Sequence, residues 1–164
     1  MLNPKTITVD INITAILSEV EVKAYMIAEK MDDGEIKTEV EDIKSEKNKP
    51  MLYRSIQRAA ATFIDSVYFA TRSNSDVAKD NKLSQPTSIS IVLSLPADYS
   101  QTSLNALSEY IHDYLVCMCL FDFLYIFDDK EAQKWNDKAQ YDISRIQHYA
   151  SEDTPPLRRQ PSVF

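Results

Sequence analysis

Glycine is almost missing. Gly34 is the only one in 164 residues, against a usual share of about 7%. Phosphate-cradling loops of the Walker A or dinucleotide type need several glycines for close backbone approach, so nucleotide-binding enzymes of those classes are disfavoured. Histidine and cysteine are scarce as well. His112 and His148 show none of the standard ligand-pair spacings, and zinc wants four convergent ligands, so no metal and no cofactor is expected. Cys117 and Cys119 stand two apart in VCMC. On a helix their side chains diverge by about 200°, which disfavours a mutual bridge and leaves them as reduced core thiols.

Positive charge is also short, with a formal net charge of −7. Neutralising phosphates takes clustered Lys and Arg, so a general nucleic-acid binder is disfavoured, although a local basic patch stays open. The segment MLNPKTITVD carries no apolar run behind a basic stretch, so no signal peptide is expected and the chain is expected to fold in a cytoplasm. The longest greasy stretch, YLVCMCLFDFLYIF from Tyr114 to Phe127, spans only about 21 Å as a helix and is interrupted by Asp122. A bilayer needs roughly 20 apolar residues, so it is not a membrane span.

What is present is packing pattern. With 44% apolar residues the chain can bury roughly 70% of its unfolded surface, enough for one ordinary core. A single domain over residues 1–150, followed by an extended tail over 151–164, is the expected organisation. Residues 6–11 alternate as a half-buried strand. From Ile13 the period changes: Ile13, Leu17, Val20, Ala24, Ile27 and Met31 form one helical stripe, with Asn12 or Thr14 as its cap and Asp32, Asp33 and Gly34 as its terminating turn. Residues 32–49 are crowded with charge and read first as a solvated loop. Ile36, Val40 and Ile43, spaced by four and three, make a short amphipathic helix the alternative.

Pro50 suits the first turn of a further helix running to about Arg72, with Leu52, Ile56, Ala59, Phe63, Val67 and Ala70 on one face. Ala59, Ala60 and Ala61 would admit another helix at close range. Residues 73–87 are polar and without period, a loop. SISIVLSL, residues 88–95, sets Ile89, Ile91, Leu93 and Leu95 against an uncharged serine face that suits pairing or packing in an assembly. After Pro96, Ser100 or Thr102 caps a helix reaching Phe127. Asp128 or Asp129 caps a last helix over 130–150, close enough to force an antiparallel hairpin. Ala132, Trp135, Ala139, Ile143 and Ile146 form its inner face, with Lys130, Lys134, Asp137, Lys138 and Asp142 largely outside. The fold class is mainly α: about four helices in a bundle plus two short strands.

No catalytic set emerges. Asp122 is a lone carboxylate in an apolar helix, expected to cap a neighbouring element or pair with an arginine; an enzyme would need Asp122, His112 and an arginine to converge in a cleft. Candidate partner-interface residues are Arg54 and Arg58, four apart on one helix and able to hold a phosphate or carboxylate, and Leu157, Arg158, Arg159 and Phe164 in the tail. The outer-face alternative for the two arginines is simple solubility.

The segment from Ser88 to Ile146 runs LSLPADY, SLNALSEYIHDYLVCMCLFDFL, FDDKEAQKW and NDKAQYDISRI, followed by a Pro/Arg tail. In this order it resembles small neck or head-to-tail connector proteins of tailed bacteriophages and prophages, over about a third of the chain. The resemblance implies a non-enzymatic virion component that forms a homo-oligomeric ring beneath the portal and contacts portal, tail and other neck proteins. Its strand before the apolar helix departs from the purely helical members. A small monomeric or dimeric adaptor of a mobile element, binding a host protein through the acidic segment, is the alternative.

Overall fold

One helix, apolar nearly all round, organises everything else. The computed structural model describes residues 5–67, 88–96 and 98–151. In chain order these hold β1 (Lys5–Asn12), α1 (Ile13–Ala28), α2 (Gly34–Glu41), α3 (Lys49–Ser66), β2 (Ser88–Leu95), α4 (Gln101–Leu124) and α5 (Asp129–Ser151). The chain is therefore mainly α with a small β element, with five helices among the described residues where about four were expected.

Helix α4 is the axis. Tyr114 through Cys117, Cys119, Leu120, Phe123 and Leu124 are all buried, because neighbours cover it on several sides. Helix α5 returns antiparallel after the short turn at 125–128, and the pairing brings Tyr110 to Tyr149, with ring centroids 5.7 Å apart. Helix α1 runs beside α4 in the same direction, so that Glu19 meets His112 and Ile27 reaches Asp128 near the α4–α5 turn. Helix α3 runs the other way: Ser55 meets Asp122, while the carbonyl of Ser66, its last residue, accepts from Gln147 of α5 at 3.3 Å. The chain itself thus buries the middle of the greasy helix, and only Tyr125 and Ile126 just beyond it stay open, 61% and 63% exposed.

Strands β1 and β2 form a two-stranded antiparallel sheet, Val9 opposite Ile91 and Ile7 opposite Leu93. Val9, Ile11, Ile91, Leu93 and Leu95 are buried, as period-two alternation requires when one face meets a core. The outer face is not wholly uncharged: Asp10 lies opposite Ser90 and accepts its hydroxyl proton at 2.5 Å. Any partner on that face would have to accommodate a carboxylate.

Local capping explains most element starts. Asn12 accepts from the Ala15 amide, Ser100 from Ser103, and Asp128 from Lys130 and Glu131. The charged segment 32–49, expected first as loop, contains α2 instead. Asp33 caps it through the Glu35 and Ile36 amides, and Gly34 is its first residue with no positive φ, so it is not a left-handed terminator for α1. Val40 and Ile43, both 0% exposed, anchor the segment against the core. Burying these two side chains is worth roughly 3–6 kcal/mol, which offsets the cost of ordering a short charged stretch.

Helix α3 ends at Ser66. The expected continuation to Arg72 and the loop over 73–87 lie outside the described residues, as does the tail beyond Ser151 with Leu157, Arg158, Arg159 and Phe164.

Candidate functional site

Polar side chains inside an apolar bundle must find partners or carry a large desolvation cost. Here they gather at three points along α4, each facing a different helix.

The first faces α3. Ser55 sits in the middle of the α3 apolar stripe, 3% exposed. Its hydroxyl donates to Asp122 Oδ2 at 2.5 Å and also faces the Met118 carbonyl at 3.5 Å. Arg58, one turn on, donates from its guanidinium to the same oxygen at 2.6 Å. Asp122 is therefore paired with an arginine, as expected, and also holds a serine for which the sequence offered one signal, a hydroxyl inside an apolar face. Its carboxylate works on its surroundings. Burial first, and the Asp122 charge second, raise the Tyr114 hydroxyl. The same two causes in the same order push the Cys119 thiol up to about 12.

The second faces α1. His112 and Glu19 lie 2.7 Å apart, and Glu19 also takes Lys23 at 2.5 Å. The Lys23 hydrogen bond first, opposed by burial and helped by His112, holds the Glu19 carboxyl below its usual range. Lys23 also lies over the Trp135 ring, 5.7 Å from its centroid.

The third faces α5. Asp142 was expected on the outside, yet it is 2% exposed. The helical period gives the reason: Asp142 falls between Ala139 and Ile146 at steps of three and four, on the buried side. Its carboxylate accepts from the Cys117 thiol at 3.8 Å. Burial raises the Asp142 carboxyl, Asp113 adds to the effect, and Lys138, Cys117 and Lys23 oppose it. Burial likewise pushes the Cys117 thiol up to about 12. Both cysteines are free and buried, and thiols held so high are almost fully protonated at neutral pH and poor nucleophiles.

The convergence an enzyme would need is met only in part. Asp122 and Arg58 meet, but His112 lies ten residues back along α4, about 15 Å away, engaged with α1. Among the described residues no group of three or more metal-ligating side chains gathers, and no helix is long and apolar enough to cross a membrane. What the three clusters accomplish is mechanical: each ties one helix to α4 by a bond whose geometry fixes register. A fourth tie, Tyr99 donating to the Tyr149 carbonyl at 2.8 Å, holds the last turn of α5.

Of the candidate interface residues, Arg54 is exposed and Arg58 is engaged within the chain, although its side chain remains 67% exposed. The open surface is more apolar than polar at two places. Val22, Tyr25 and Met26 form an outward stripe on α1, between 52% and 58% exposed, and Tyr125 and Ile126 cap the α4–α5 turn. Beside that turn the segment after α1, the start of α2 and residues 127–128 form a cleft of about 290 Å³ lined by Met31, Ile36, Phe127, Asp32, Asp33 and Asp128. No protein-family model, curated protein or solved structure matches this chain.

Proposed function

We propose that this protein is a non-enzymatic structural component of a tailed-phage virion, a head–tail connector or neck subunit that forms a homo-oligomeric ring and bridges portal and tail. The observation that carries the reading is the division of labour among its side chains. The buried and half-buried polar groups are spent on holding helices in register, while large apolar groups stand open on α1 and at the α4–α5 turn. Contiguous exposed apolar groups on a rigid frame mark surfaces that other proteins cover. The link to connectors is the sequence pattern from LSLPADY to NDKAQYDISRI alone, with strand β2 as its departure from the purely helical members.

In this reading the partners are further copies of the chain, the portal protein and tail or other neck proteins. No cofactor, membrane or sequence-specific nucleic acid is engaged, and the protein works in the virion after assembly in a bacterial cytoplasm. Symmetry multiplies weak contacts: a ring presents many identical sites at once, so modest single-site affinity gives stable docking. The test is negative-stain imaging of the chain mixed with the portal complex of the same particle. Ring density stacked on the portal supports the proposal, and bare portals over a range of protein concentration refute it.

A further inference from the structure

The cleft at the α1–α2 and α4–α5 junction is lined by Met31, Ile36 and Phe127 together with Asp32, Asp33 and Asp128, and the chain carries a segment of opposite charge. From Thr154 to Phe164 the only charged residues are Arg158 and Arg159, directly after Leu157. Resting on the oligomeric reading above and making it specific, we infer that this cleft receives the Leu157–Arg159 segment of a neighbouring copy, making the subunit contact head-to-tail.

Three observations support it. The first is charge. Asp32, Asp33 and Asp128 stand against one ammonium group, Lys30, around the larger cleft. Asp33 and Asp128 each use one carboxylate oxygen, Oδ1, to cap a helix, and the second oxygen of each is available to a guanidinium. The second is shape. Met31, Ile36 and Phe127 are half-buried and line the cleft, apolar surface of the kind a leucine packs on, and Tyr125 and Ile126 add exposed apolar groups at the same turn.

The third is reach, and it decides between the chain's own tail and a neighbour's. The cleft lies at the start of α5, whereas the tail leaves from Ser151 at the other end. From Glu131, which lines the adjoining part of the cleft, to Ser151 is about 30 Å of helix. Leu157 follows Ser151 by six residues and extends at most about 22 Å from it. A chain cannot place Leu157 in its own cleft. A neighbour can, and because donor and acceptor surfaces differ, the contact is heterologous and propagates around a closed ring or along a filament.

The experiment uses two full-length variants, one with Lys30→Cys in the cleft lining and one with Gln160→Cys just past the arginines. Neither change removes a proposed attractive group, and the native thiols are buried. Mixed under mild oxidation, the two should yield a disulfide-linked dimer of one chain of each kind, in clear excess over a mixture in which the second chain carries Gln140→Cys on the exposed face of α5. Adding Arg158→Glu and Arg159→Glu to the Gln160→Cys chain should abolish that excess. A yield equal to the control, or one indifferent to the charge reversal, overturns the inference. The trap reads a single contact and not the mass of the assembly. A ring that forms without a trapped dimer therefore overturns the tail contact and leaves the connector reading standing. A trapped dimer from a chain that never builds a ring supports the contact and removes the ring.

Discussion

Replacing Asp122 by alanine should destabilise the fold far more than replacing the arginine beside it. In the native chain one oxygen of Asp122 accepts from Ser55 at 2.5 Å and from Arg58 at 2.6 Å. The Arg58 side chain is 67% exposed, so its ion pair is screened and worth about 0.5–1 kcal/mol. Ser55 is different. It is 3% exposed, and without Asp122 its hydroxyl keeps the Met118 carbonyl, at the long distance of 3.5 Å, and the Cys119 sulfur, a weak partner. Losing a charge-assisted hydrogen bond and leaving a poorly satisfied buried donor costs about 2–4 kcal/mol. Arg58→Ala should then cost about 1 kcal/mol or less, Asp122→Ala about 2–4, and Ser55→Ala/Asp122→Ala clearly less than the sum of the two single changes, because both remove the same bond. Urea denaturation at neutral pH followed by circular dichroism measures the three single variants and the double variant against the native chain. An Asp122→Ala cost below about 0.5 kcal/mol, or strict additivity with Ser55→Ala, would refute the reasoning.

Asp142→Asn should stabilise the protein at neutral pH and not in acid. The Asp142 carboxyl is raised by burial. Below the ordinary aspartate value, about 3.9, it is protonated in both folded and unfolded chains, and the native state loses stability as pH rises through the higher folded value. The gain from asparagine, read from melting temperatures between pH 4 and 7, should therefore grow with pH; a constant or shrinking gain contradicts it. Phe123→Ala removes a ring that is 1% exposed from the central helix and should cost about 3–5 kcal/mol by the same denaturation assay. Cys117 and Cys119, pushed up to about 12, should resist a thiol-specific chromogenic reagent at pH 8 in the native state and react fully in denaturant. Rapid native labelling would mean that the bundle opens around α4.

Much of the fold is legible in the residues because it rests on period alone. Residues 88–95 alternate and form a strand with those bounds, the stripe from Ile13 to Ile27 forms α1, and the turn at Asp128 makes the hairpin. The pairing of Asp122 with an arginine follows from the cost of a lone buried carboxylate, without saying which arginine. Where local composition and tertiary packing disagree, composition misleads: charge hides α2, whose ordering depends on Val40 and Ile43 finding the core. The ties themselves were out of reach. Glu19 and His112 are 93 residues apart, Ser55 and Asp122 are 67, and only the direction of each helix along α4 brings them together. Asp142 is hidden for a simpler reason: charge alone points a residue on the boundary of a helical stripe to water, whereas its neighbours Ala139 and Ile146 carry it inward.

The solution mass of the purified chain, measured by light scattering alone and after addition of portal complex, tests the central claim most directly. A connector subunit gives a discrete closed oligomer under at least one of these conditions. A chain that stays a monomer or dimer throughout and never joins the portal contradicts the connector role.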